Sequence, residues 1–201
     1  MLISRMKKAT APKNINQYIL ILGMINITIS LAADVVAYKL VFLGPALLPG
    51  APLIFPLTYI IGDIVAEVYG YNAAKQIIWI TLACELFFSI AIKVIIHLPS
   101  PTFWHDQPSY NQVVDPILRF VLAGILAVIS SSFINIYIIS KWKILMKGRN
   151  FWLRSLGSSA IGGFILVLVT ILLGFSGHMH LTQLVYMILS VYSIEILYSL
   201  L

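Results

Sequence analysis

The 201-residue chain is 60% apolar and 10% charged, far from the roughly 45–50% apolar and 25% charged mix of soluble domains, which excludes a water-soluble fold. Its formal net charge of +6 comes mainly from residues flanking apolar runs, the placement expected of loops facing anionic lipid and cytoplasm and not of a nucleic-acid surface. The single cysteine, Cys84, has no second thiol for a disulfide or thiolate–metal site.

A helical crossing needs about 20 mostly apolar residues. Six such runs fall at roughly 17–43, 52–70, 74–97, 116–140, 155–176 and 181–201, which predicts an all-α polytopic bundle forming one transmembrane domain over 1–201. Gly44-Pro45 and Pro49-Gly50 punctuate the first loop, and Pro99, Pro101 and Pro108 with His105 and Asp106 mark a longer polar loop before span four. The amino terminus carries Arg5, Lys7, Lys8 and Lys13. The apolar run behind them is long, contains Asp34 and lacks a small-residue cleavage pattern, so it reads as a span.

Lys141, Lys143, Lys147, Arg149 and Arg154 crowd the loop between spans four and five, and Lys75 follows span two, while the alternate loops are nearly free of Lys and Arg. The positive-inside rule then places both termini in the cytoplasm. A re-entrant segment at the Pro-rich boundary of span one is the alternative that would change this parity. No nucleotide-binding loop, glycine fingerprint or zinc-protease pattern is present.

Ionisable side chains inside a span cost about 2.5–3.5 kcal/mol at the helix centre and need a partner or a watery cavity. They are Asp34 and Lys39 in span one, Asp63 and Glu67 in span two, Glu85 and Lys93 in span three, Arg119 in span four and Glu195 in span six. Asp63 and Glu67 lie four residues apart on one helix face, with Tyr59 one turn earlier on the same stripe. Two such acids suit a proton relay; a structural ion pair with Arg119 or Lys39 is the competing reading. Glu85 reads as structural. Asn135 brings an amide able to donate and accept along a heterocycle's edge. Ser155, Ser158, Ser159, Gly162 and Gly163 form small-residue stripes suited to close helix packing. His178 and His180 lack Cys or carboxylate company and read as an exposed loop pair, so no metal and no cofactor is expected.

The stretch Phe55 to Tyr71, FPLTYIIGDIVAEVYGY, resembles the signature of the queuosine precursor transporters, six-span inner-membrane proteins of the vitamin-uptake-transporter group. The similarity extends back to Lys39 and forward through Arg119 and the Ser-rich span four to FWLRSLGSS at 151–159. It implies a bacterial inner-membrane importer that brings a 7-deazaguanine (7-cyano-7-deazaguanine, its aminomethyl form or queuine) into the cell for tRNA modification. It also implies substrate or coupling roles for Lys39, Asp63, Glu67 and Arg154. The chain departs from the family pattern at Asp34, Asn135, Gly163, Leu166, Val167 and Glu195; Asp34 and Glu195 are read as supplying acids lost at 135 and 166.

Two further classes compete with a secondary carrier of a planar heterocycle. A substrate-capturing subunit of a larger vitamin or nucleobase importer would need an ATP-hydrolysing partner. The other is a non-transport membrane protein, a scaffold or an intramembrane enzyme, and for the enzyme the sequence offers no nucleophile–base arrangement.

Overall fold

The computed structural model describes the backbone of residues 13–145 and 151–199. Chain order is α1 (Lys13–Val36), β1 (Leu40–Leu43), β2 (Ala46–Pro49), a 3-10 turn (Ala51–Leu53), α2 (Pro56–Tyr69), α3 (Tyr71–Ile96), α4 (Gln107–Val114), α5 (Pro116–Leu145), α6 (Phe151–Phe175) and α7 (Leu181–Ser199). The result is an all-α polytopic membrane protein of six main helices plus the short α4. Gln17–Val36, Tyr71–Ile96 and Gln107–Asn135 are long and apolar enough to cross a membrane, and Ala160–Phe175 and Leu181–Leu197 are shorter apolar helices. Leu20, Ile80, Phe133 and Leu189 stand exposed on these helices, as a surface solvated by hydrocarbon requires.

The first apolar run does not stay helical. α1 ends at Val36, and residues the run assigned to span one form β1, which pairs antiparallel with β2 in the register Leu40↔Pro49, Val41↔Leu48, Phe42↔Leu47 and Leu43↔Ala46. The cause is local. Gly44 adopts φ 61 and is followed by Pro45, whose φ is fixed negative, giving the signs of a type II′ hairpin turn. Non-helical backbone at membrane depth must satisfy its polar groups within protein. The ladder does this, Leu48 is fully buried, and the Tyr186 hydroxyl of α7 donates to the Pro45 carbonyl.

α2 starts with Pro56 at its first position, where the missing N–H costs nothing. Its 14 residues extend about 21 Å at 1.5 Å per residue, less than the roughly 30 Å of a hydrocarbon core. Gly70, at φ 87, then turns the chain directly into α3.

The helices pack as two groups of three. Ile61, Val65 and Ala74 gather Ile19, Leu22, Ile29 and Ile77 into a core between α1, α2 and α3. Phe120, Val167, Ile171, Phe175, Met187 and Val191 form the larger core of α5, α6 and α7, which also takes in Leu48 of the hairpin. α3 and α1 contact α5, and β2 contacts α7, joining the halves.

Candidate functional site

α2 separates its residues by face. Thr58, Ile61 and Val65 are buried toward its own half, whereas Tyr59, Asp63 and Glu67 follow one another along an accessible stripe beside the exposed apolar Leu57, Ile60, Ile64 and Val68. Tyr59 keeps 42% of its surface accessible, so it does not pack into a core. Glu195 of α7, in the other half, lies within electrostatic reach of Tyr59. Phe55 meets Tyr59 edge-on, with centroids 5.4 Å apart and planes at 86°, so the tyrosine faces are not used by that contact.

Glu195 approaches α6 where Gly163 lacks a side chain: a Cβ there would lie 3.5 Å from both the carboxyl carbon and Oε2. Among the described residues, Glu195 Oε2 and Asp34 Oδ2 are the buried side-chain oxygens without a hydrogen-bond partner. An unpaired carboxylate oxygen beside an accessible tyrosine is a ready acceptor for an incoming N–H donor.

Asp34 lies elsewhere, on the seam between α1 and α3. Asn26 Nδ2 donates to Thr81 Oγ1 at 3.0 Å, the Ser30 hydroxyl stands within hydrogen-bonding reach of Glu85, and Asp34 is within electrostatic reach of Glu85. Asn26, Ser30, Thr81, Glu85 and Ser89 are all buried, Glu85 to 7% exposure. Sequence reading singled out Asp34 and Glu85 but missed the four neutral members of this group. Their signal was present: both trios, 26/30/34 and 81/85/89, recur every fourth residue.

The other expected residues are dispersed. Lys39 is exposed and lines a cleft of about 470 Å³ with Tyr38, Gln112, Phe175 and His178. An adjoining cleft of about 540 Å³ is bordered by Tyr38, Lys93, Asp115, Arg119 and His178. Neither contains the acids of the two interior groups. The ion pair anticipated between Arg119 or Lys39 and the α2 acids is not formed. Arg119 instead donates from Nε to Leu173 O at 2.7 Å and from its terminal nitrogen to the carbonyl and hydroxyl of Ser176, capping the carbonyl end of α6 where a cation is favoured. Among the described residues the salt bridge present joins Lys93 and Asp115.

Asn135 is at the α5–α6 contact, its Cβ 3.4 Å from where a Cβ on Gly162 would stand, beside a 2.8 Å hydrogen bond from Ser131 Oγ to Gly162 O. Val167 is buried in the larger core. The side chain of Arg154 lies outside the described residues.

A bundle of two three-helix halves, with an acid of one half facing the accessible polar stripe of the other, has the arrangement of small-molecule membrane carriers, whose intramembrane acids mark substrate or ion pathways. The family model described as "Putative vitamin uptake transporter" matches residues 49–201, so the chain belongs to that family, which includes queuosine precursor transporters. No curated protein and no solved structure shows significant similarity to the chain.

Proposed function

We propose that this protein imports a queuosine precursor (7-cyano-7-deazaguanine, its aminomethyl form or queuine) across the bacterial inner membrane to supply tRNA modification. The observation that carries the reading is the accessible Tyr59–Asp63–Glu67 stripe of α2, inside the family-like motif, set across the halves from Glu195. A 7-deazaguanine is planar and rich in N–H donors. It stacks on the Tyr59 ring and gives its donor edge to the carboxylates of Asp63 and Glu195, and Glu67 lies one further turn along the path. Lys39, exposed on a separate cleft, is assigned the role of attracting polar solutes to the protein. Arg154, Asp34 and Asn135 are assigned supporting roles, in the loop-side charge and in the polarity of the helix seams.

The test is uptake in cells unable to synthesise deazaguanines. With this chain expressed and each precursor supplied separately, queuosine appears in tRNA for the cognate precursor. Normal membrane expression with no queuosine from any precursor overturns the proposal.

A further inference from the structure

The seam between α1 and α3 holds more polar chemistry than helix packing requires. The Asn26–Thr81 hydrogen bond spans 55 residues, and the same offset sets Ser30 beside Glu85 and Asp34 level with Ser89. The two helices therefore run parallel in one register, with a polar residue on each at three successive turns. Ser89 uses its hydroxyl on its own helix, donating to Leu86 O at 3.0 Å, and adds a buried acceptor at the level of Asp34.

Two carboxyls at such a seam cannot both be ionised cheaply. Asp34 and Glu85 are within electrostatic reach of one another, so two like charges there repel, and each ion also loses hydration on burial. A cation would relieve this, and among the described residues none forms an ion pair with Asp34 or Glu85. α2 packs on both helices through Ile61 and Val65; its ionisable groups are Asp63 and Glu67 on the accessible side, with Tyr59 and Tyr69. The 3-10 turn carries no ionisable group, and α4 contributes only Tyr110. On α5, Arg119 is held by the end of α6, Lys141 lies over the Tyr137 ring at 5.6 Å, and the side chain of Lys143 lies outside the described residues. On α3 itself, Lys93 pairs with Asp115, His97 bonds the Lys93 carbonyl, and Tyr71, Lys75 and Cys84 complete the titratable set. On α1, Lys13 and Tyr18 belong to the opposite end, the Lys13 side chain lying outside the described residues, and Tyr38 and Lys39 follow the helix.

We propose that Asp34 and Glu85 form a proton-binding site in which one carboxyl is protonated and the pair carries a single negative charge. Ser30 holds Glu85 in place. Asp34 keeps partial contact with open space and is the member through which the proton enters and leaves, returning the carboxylate to its original state. Proton binding and release at this seam accompany the transport cycle. The site rests on the family's transport activity and not on the identity of the ligand.

The test is infrared spectroscopy of the full chain in lipid nanodiscs. The expected result is a protonated-carboxyl stretch at neutral pH that vanishes reversibly on alkalinisation, is lost in the near-isosteric D34N/E85Q variant and survives D63N and E195Q. Carbon-13 carboxyl labelling of Asp and Glu gives a second route if the double variant does not assemble: the band of the unaltered protein must shift on labelling and must persist in D63N and E195Q. Absence of the band, its persistence in D34N/E85Q or its loss in D63N or E195Q overturns the proposal. In proteoliposomes an inward acid gradient accelerates precursor uptake several-fold in the unaltered protein and not in D34N/E85Q; equal acceleration in both overturns the coupling role. Failure of every precursor to enter would strike the deazaguanine reading alone, because the spectra need no ligand.

Discussion

Gly163 of α6 leaves its Cβ position open 3.5 Å from the Glu195 carboxylate of α7, so the glycine and the acid fit as a pair across the helix contact. A methyl group fits at that distance without displacing anything, and in a helix alanine is favoured over glycine by about 1 kcal/mol. Gly163→Ala is therefore expected to keep or raise thermal stability and to retain uptake within about threefold, under 1 kcal/mol of transition-state energy. Gly163→Leu places a branched chain where the carboxylate stands, and uptake is expected to fall by about tenfold or more, equivalent to 1.4 kcal/mol. Uptake rates normalised to membrane-inserted protein measure both. A leucine variant as active as the parent would show that Glu195 has no part in the interior site.

The α1–α3 seam makes a prediction about stability alone. Asn26 and Thr81 are both buried, and their hydrogen bond is the link that sets the register of the two helices. Such bonds between membrane helices contribute about 0.6 kcal/mol on average and up to about 2. Asn26→Leu and Thr81→Val should each destabilise the protein in detergent unfolding, and the double variant should lose less than the sum of the two. A coupling energy of about 0.5–2 kcal/mol is expected. Strict additivity would mean that the bond contributes nothing to holding the helices together.

How much of this architecture was legible in the chain depends on which physical rule governed each part. Hydropathy located the six helical runs because lipid imposes one length and one composition on every crossing. It misread residues 37–43 because an apolar strand has the same composition as an apolar helix. Only the Gly44-Pro45 turn distinguishes them. The stripe Tyr59–Asp63–Glu67 was readable from helical spacing, whereas its separation from Arg119 was not: charge complementarity says nothing about distance, and Arg119 found the carbonyls of α6 first. Asn26, Ser30, Thr81 and Ser89 escaped attention because neutral polar residues are inexpensive singly. Their meaning comes from the register between two helices.

The hairpin's position depends on one close approach. A Cβ on Gly50 would stand 2.5 Å from the Val36 carbonyl oxygen and 3.1 Å from its Cβ, and the obstacle is backbone, which cannot rotate away. Gly50 has an ordinary negative φ of −69, so the constraint is space and not conformation. Gly50→Ala is expected to destabilise by about 1–3 kcal/mol, the usual cost of overpacking a tight contact. It should be visible as a lowered unfolding midpoint in detergent. Gly62→Ala, on α2 with nothing within 4 Å of its added Cβ, is the control and should not lower it.

The α2 acids and Arg119 should separate function from stability. Asp63 and Glu67 are accessible, and neither has an ion-pair partner among the described residues, so the fold gains little from their charge. Arg119 makes three hydrogen bonds to the end of α6, and charged hydrogen bonds contribute about 1.5–3 kcal/mol each at most when a partner is left bare. Asp63→Asn is expected to leave the unfolding midpoint within about 0.5 kcal/mol of the parent, as for an exposed site, while reducing precursor uptake by about tenfold or more, the equivalent of one charged contact to the ligand. Arg119→Met is expected to do the reverse: to destabilise by about 2 kcal/mol or more through the exposed carbonyls of Leu173 and Ser176, with uptake per folded molecule largely kept. Thermal unfolding and normalised uptake, measured on both variants in one preparation, decide the matter. If Asp63→Asn lowered stability as much as Arg119→Met does, the acid would be a structural element of the bundle. The accessible stripe of α2 would then have to be discarded as the route of the substrate.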